Sequence, residues 1–265
     1  MGSLLHGALM DVQLVKKEMV KPMQKRQAVF SGAVKLIIGV IMNVKNLTGM
    51  RDKVLIVVTT YNKVGMTRKC MEYLQEFDHD IMVIDDHSTD GTPYYLTQIK
   101  VECMVKNERR GLTDSWNWAY KYFKVSNYSH AILMNNDVLV PKGTIEGMLS
   151  YYPLVVPSCN YDGAGYACKY QGIDNLTEQN LQLIQDNNPK KFSGVKEWTG
   201  FCMCFSRGIF EYELPDGNLF KPENINVGND DDLARRVKAY VALGSFVYHF
   251  KGVSFDGKIT GRNKI

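Results

Sequence analysis

Between residues 53 and 134, four apolar runs alternate with stretches whose apolar residues recur at helical spacing. Residues 53–60, Lys-Val-Leu-Ile-Val-Val-Thr-Thr, form a continuous β-branched run, the composition of a strand buried on both faces of a parallel sheet. Met66, Cys70, Tyr73, Leu74 and Phe77 then share one stripe, which predicts a helix over 66–76. Residues 81–84 and 101–105 read as the second and third strands. Leu112, Trp116, Ala119, Tyr120 and Phe123 repeat at helical spacing over 112–123, which makes Trp116 a core residue and puts Asn117 on another face. The fourth strand is 130–134, and Pro141-Lys142-Gly143 leads into a helix through residue 151. A β-α-β-α-β-α-β order implies an α/β fold whose Rossmann-like, largely parallel central sheet is flanked by helices.

The remainder is less patterned. Residues 154–157, 201–206 and 245–248 read as short strands, with Cys202 and Cys204 on one face of theirs. Residues 158–193 are polar and irregular, the character of a lid or binding loop. Residues 1–50 form an N-terminal, helical extension in which the apolar stretch 28–44 follows Lys16, Lys17, Lys21, Lys25 and Arg26. That stretch is short and interrupted for a membrane span. An amphipathic helix in peripheral contact with anionic lipid and a helix packed on the domain stay open as alternatives.

With 265 residues the chain can bury a substantial core, and a formal charge of +4 gives no reason to expect nucleic acid as a partner. Six cysteines, at 70, 103, 159, 168, 202 and 204, have neither metal-ligand nor redox spacing, which points to a reducing, cytoplasmic compartment. The sequons at Asn46, Asn127 and Asn175 then carry no weight. Oligomeric state is not legible.

The chemistry gathers where strands end. In open α/β sheets ligands bind beyond the carboxyl ends of the strands. There the first strand delivers Thr59, Thr60, Tyr61 and Asn62, and the second Asp85, Asp86 and Ser88. The third delivers Asn107, Arg110 and Gly111, and the fourth Asn135, Asn136 and Asp137. Two acids at a strand end can accept hydrogen bonds from a base edge and a ribose hydroxyl, and one carboxylate flanked by amides suffices for a cation shared with a diphosphate. No Gly-x-Gly-x-x-Gly follows the first strand, against a dinucleotide-binding domain.

Val-Val-Thr-Thr-Tyr-Asn at 57–62, Asp-Asp-His-Ser-Thr-Asp-Gly-Thr at 85–92, Asn107 with Gly111 and Asn117, and Leu-Met-Asn-Asn-Asp at 133–137 together resemble family 2 glycosyltransferases. The resemblance spans about 54–254, in the family's order. It implies a single GT-A domain over 51–265, with a nucleotide-sugar-binding half at 51–140 and an acceptor-binding half at 141–265. The activity implied is inverting transfer of a sugar from a UDP- or dTDP-type nucleotide sugar to a hydroxyl of a glycan or other acceptor, with Mn²⁺ or Mg²⁺. By the same resemblance, Trp198, Thr199 and Gly200 meet the acceptor, and Asp230, with Asp232 ranked second, is the general base at the start of a helix. His249 joins Asp137 at the metal, and Lys251 meets the diphosphate. The sequence departs from the family at Asn135, in place of the first Asp of Asp-x-Asp, and at Asn229, in place of a Glu. Those departures favour, as an alternative, a catalytically inactive nucleotide-sugar-binding or scaffolding protein of the same fold. A sugar nucleotidyltransferase is the other rival, weakened because no Gly-rich basic loop follows Thr60.

Overall fold

The computed structural model describes residues 53–160, 177–186, 191–196 and 198–250, all within the unit Asp52–Ile265. The extension 1–50, Lys251 and much of the polar segment 158–193 lie outside the described residues. The four expected strands are β1 (Val54–Thr60), β2 (Asp80–Asp85), β3 (Glu102–Val105) and β4 (His130–Asn135). They pair in parallel in the order β3-β2-β1-β4. Helices α1 (Val64–Leu74), α2 (Thr92–Gln98) and α3 (Leu112–Val125) form the crossovers.

Strand β1 shows why this half forms. All seven of its residues are buried. Val54, Ile56 and Val58 pack with Cys70, Met71 and Leu74 of α1, whereas Leu55 and Val57 pack in the opposite layer with Trp116, Tyr120 and Phe123 of α3. Successive side chains of a strand point to opposite faces, so an uninterrupted apolar run needs cover on both. Each large aliphatic side chain so buried contributes about 1.5–3 kcal/mol relative to leaving it in water.

The chain continues through β5 (Val138–Leu139), α4 (Thr144–Met148), β6 (Leu154–Cys159), α5 (Leu181–Asp186), β7 (Phe192–Val195) and β8 (Cys202–Ser206). A 3₁₀ turn at Arg207–Tyr212, helix α6 (Asn229–Arg236) and strand β9 (Ala239–His249) follow. These strands extend the sheet beyond β4 in the order β8-β6-β9-β5, with β7 also on β9. Strand β8 is antiparallel to β4 and β6, and β9 is parallel to β6 but antiparallel to β5 and β7. The sheet therefore has a parallel half and a mixed half. Cys202 and Cys204 lie on one buried face, as their spacing predicts.

Four elements differ from the pattern reading. Strand β9 has eleven residues, not the four of 245–248, because Gly244 and Ser245 interrupt its apolar alternation while its pairing with β6 shifts register between Pro157 and Ser158. Helix α5 and strand β7 occupy a segment expected to be irregular. Gln185 of α5 is buried and engaged at both amide atoms: its Oε1 accepts from Thr144 Oγ1 (3.0 Å) and Phe246 N (2.8 Å), and its Nε2 donates to Gly244 O (3.0 Å). A polar residue in a core position hides its helix from hydrophobic periodicity. Helix α4 stops at Met148 rather than near residue 151, since Ser150 turns the chain by accepting from Tyr152 N at 3.2 Å, and Pro153 follows. No helix among the described residues is long and apolar enough to cross a membrane.

Candidate functional site

Because β1, β2 and β4 run parallel and in register, Thr60, Asp85 and Asn135 arrive at one edge of the sheet. Among the described residues, three other than glycine have positive φ, Asn62 (55°), Lys63 (61°) and His87 (66°), and all lie in the loops leaving β1 and β2. Such conformations persist where the surroundings over-determine them. Here the two loops are knitted together: Asn62 N donates to Ser88 Oγ (2.7 Å), and Thr89 N donates to Asn62 Oδ1 (2.7 Å). Asn62 and Ser88 thus shape the edge. Tyr61 carries the Arg109 guanidinium over its ring at 3.7 Å.

The two adjacent acids have different work. Asp86 is saturated, accepting from Lys106 Nζ (3.0 Å), Arg110 N (2.9 Å) and Gly111 N (2.8 Å). It anchors the loop after β3, so the function of Arg110 seen here is its backbone N–H, while its exposed guanidinium pairs with Glu108 at 2.6 Å. Asn107 is exposed at the same loop. Asp85 is 0 % exposed; its Oδ1 accepts from Ser88 N (3.2 Å) and Ser88 Oγ, and its Oδ2 is buried without a hydrogen-bond partner. Burial pushes the Asp85 carboxyl above the usual range, partly opposed by the Ser88 hydrogen bonds.

The Asn-Asn-Asp sequence after β4 also divides. Asn136 Nδ2 donates to Thr60 Oγ1 (3.0 Å) and Thr67 Oγ1 (2.9 Å), tying β1, α1 and β4 together. Asn135 is half-buried, within 3.5 Å of Thr59 Oγ1. Asp137 is 2 % exposed, and its Oδ1 lies 3.5 Å from His249 Nε2. His249 is held by stacking on Phe201 (4.4 Å, 14°) and by Asn160 Oδ1, which accepts from His249 N at 2.7 Å. Carboxylate and imidazole are close enough to share one ion. Among the described residues no group of three His, Cys, Asp or Glu is placed to hold a metal, so an ion here would take its further ligands from a substrate or water.

Further along the chain, Asp230, Asp231 and Asp232 open α6. Asp231 is exposed. Asp232 is buried between Lys221 (2.7 Å) and Arg236 (2.9 Å). Burial alone would raise its pKa, but the two cations outweigh it and hold the carboxyl below the usual range. Among the described residues no cation pairs with Asp230; Gly200 N donates to its Oδ2 (3.0 Å) and Asp231 N to its Oδ1 (3.1 Å). Burial pushes the Asp230 carboxyl up, with the Gly200 N–H partly opposing and Asp231 adding to the rise.

Gly200 thus lies beside Asp230, and Thr199, which precedes it in the chain, is half-buried. Trp198 does not offer the expected stacking face: it is 6 % exposed and packs in the core layer with Trp116. Nor does Asn117 reach the strand ends, since its side chain is spent on Leu219 N (3.1 Å), Phe220 N (2.9 Å) and Phe220 O (2.8 Å). Pattern reading passed over Lys106, Thr67 and Asn160. A lysine after β3 and a threonine in the buried stripe of α1 were visible signals, whereas Asn160 gave none.

The sequence pattern of glycosyl transferase family 2 matches residues 55–212. No curated protein matches the chain. Among solved structures, GalNAc-T7 with UDP, GalNAc and Mn²⁺ is similar at a TM-score of 0.54 and 14 % identity, over 75 % of this chain and 43 % of that one. S. aureus TarS 1-349 follows at 0.49 and 14 %, over 74 % and 60 %. Glucosyl-3-phosphoglycerate synthase from Mycobacterium tuberculosis, with Mn²⁺, UDP and phosphoglyceric acid, gives 0.45 and 11 %, over 75 % and 70 %. The chain spans less than half the length of the GalNAc-T7 structure. With more than half of its residues matched by that family pattern, and with these strand ends on this sheet, the chain belongs to glycosyl transferase family 2 and has the GT-A fold.

Proposed function

We propose that the chain is an inverting glycosyltransferase in which Asp230 takes the proton of the acceptor hydroxyl. The observation that carries this reading is the contrast among the three acids of α6: Asp231 is exposed, Asp232 is neutralised by two cations, and Asp230 alone is half-buried, paired with no cation among the described residues and raised in proton affinity. A general base needs that affinity and a fixed position. Gly200 N–H supplies the position.

The donor would lie across the ends of β1, β2 and β4. Asp85 Oδ2, buried and without a partner, suits an N–H or hydroxyl of the nucleoside. Asp137 and His249 would hold Mn²⁺ or Mg²⁺, which supplies charge to the departing diphosphate. Asp230 accepts the hydroxyl proton as that oxygen bonds to the anomeric carbon, and the bond from that carbon to the diphosphate oxygen breaks on the opposite face, which inverts the centre. The acceptor is a glycan or another hydroxyl compound. Since the GalNAc-T7 structure holds UDP and Mn²⁺, UDP-sugars are the first donors to try, followed by dTDP- and GDP-sugars.

The test is donor turnover by wild type and Asp230→Asn, with Mn²⁺, read as released nucleoside diphosphate. Asp230→Asn is expected to lose about 10²–10⁴-fold in turnover, the range for one general base, while donor affinity stays within about twofold of wild type. Unchanged turnover would remove Asp230 from the mechanism. Donor binding without turnover in wild type would mark a nucleotide-sugar-binding protein of the same fold.

A further inference from the structure

An ideal Cβ built on Gly200 would stand 2.9 Å from Trp116 Cη2, 3.4 Å from Trp116 Cζ3 and 3.3 Å from Asp230 Cβ. The edge of the Trp116 six-membered ring and the Asp230 side chain therefore close on the same side of Gly200, the residue whose N–H holds Asp230 Oδ2. Only a residue without Cβ fits there.

Trp116 is itself held from behind. It is buried against Phe220, with ring centroids 5.1 Å apart at 48°. The backbone of Phe220 is gripped at both N and O by the side chain of Asn117, the next residue of α3. Phe205 of β8 packs on the same Phe220 ring at 6.4 Å. One line of contact thus runs from Asn117 through Phe220 and Trp116 to Gly200 and Asp230. We infer that Trp116, backed by Phe220 and Asn117, is a positioning residue for the base: its ring edge sets the Gly200 N–H on Asp230 Oδ2. This rests on the reading of Asp230 as general base.

The consequence is specific to one group. A hydrogen bond to a carboxylate favours the charged form, so a Gly200 backbone free to drift leaves Asp230 protonated to higher pH and less often available as base. Core packing alone would lower stability without moving that titration. The variants are Trp116→Phe, which keeps an apolar ring but removes the far edge, and Gly200→Ala, which strains the same contact from the other side. Two quantities are read on each folded variant: the ¹³C titration of the Asp230 carboxyl in the unliganded protein, and the pH profile of donor turnover with Mn²⁺.

In both variants the Asp230 titration and the acidic limb of kcat are expected to move to higher pH. Turnover at neutral pH should fall on the order of tenfold, with the KM for donor unchanged. Placed on Asp230→Asn, Trp116→Phe should cost no further turnover, as expected for residues acting as one unit. A Trp116→Phe or Gly200→Ala protein that melts earlier yet keeps the wild-type titration and pH limb overturns the inference and leaves Trp116 a core residue only. The carboxyl titration needs no turnover, so it decides the positioning claim separately from an active Asp230→Asn, which would remove the base assignment alone.

Discussion

Asp230 and Asp232 are two residues apart on one helix and sit in opposite electrostatic surroundings, which makes their stabilities separable. The folded pKa of Asp230 is raised, so between the usual carboxylate range and that raised value the folded state binds more protons than the unfolded one, and stability falls as pH rises through this window. Asp230→Asn removes that penalty and is expected to raise the melting temperature at pH 7, with the gain vanishing at a pH below both values. Asp232 is the reverse case: its lowered pKa contributes stability that is present above the usual carboxylate range and lost as pH falls through the folded value. Asp232→Asn strands Lys221 and Arg236 and should cost about 1–3 kcal/mol at pH 7, less than the 3–5 of a fully buried pair because Lys221 is partly exposed. Urea unfolding at pH 7 and at a pH below the usual carboxylate range reads both signs. At this scale the sequence was partly legible. The acids at the strand ends and at the start of α6 stood out, but Asp85 was not separated from Asp86, because adjacent acids at a strand end reach different partners that only the fold assembles.

At the scale of elements, the loop between the 3₁₀ turn and α6 is pinned to the start of α3. Thr113 N donates to Ile225 O (3.1 Å), Leu112 N to Asn226 Oδ1 (3.0 Å), and Thr113 Oγ1 to Asn229 Oδ1 (2.8 Å). Asn229, which departs from the family's Glu, is thereby a buried structural acceptor. Gly111 makes this docking possible: its φ is +89°, and a Cβ there would overlap Ile225 Cγ2 and stand 2.7 Å from Ile225 O. Gly111→Ala should cost about 1–3 kcal/mol of backbone strain, push the loop off α3, and lower turnover by displacing α6 with Asp230. Chemical denaturation and donor turnover on the same sample test this, and a variant with wild-type stability would contradict the docking. The parallel half was readable because strands such as β1 are apolar on both faces and need no knowledge of their partners. Strands β7 and β9 and helix α5 were not, since Gly244, Gln185 and a register shift against β6 make sense only once the neighbouring strands are in place.

Over the whole molecule, the division of the sheet into parallel and mixed halves brings the two chemistries together. The parallel half carries Asp85 and Asp137 at its strand ends, and the mixed half returns His249 to within 3.5 Å of Asp137 through β9. That junction, formed by residues far apart in sequence, leads to the last prediction. If a cation bridges Asp137 and a diphosphate, metal and nucleotide must stabilise the fold together more than the sum of each alone. A ligand at a hundredfold over its Kd adds about 2.7 kcal/mol, which for a domain of this size is a rise of about 5–10 °C in melting temperature. UDP with Mn²⁺ is expected to give a shift of that order in wild type and in Asp230→Asn. In Asp137→Asn the part that depends on Mn²⁺ should disappear, leaving the smaller shift due to UDP alone. Chelation should reduce the wild type to the same residual value. A wild-type shift indifferent to Mn²⁺, or an Asp137→Asn protein that still responds to it, would place the cation away from Asp137 and leave the Asp137–His249 contact as a structural tie between the two halves of the sheet.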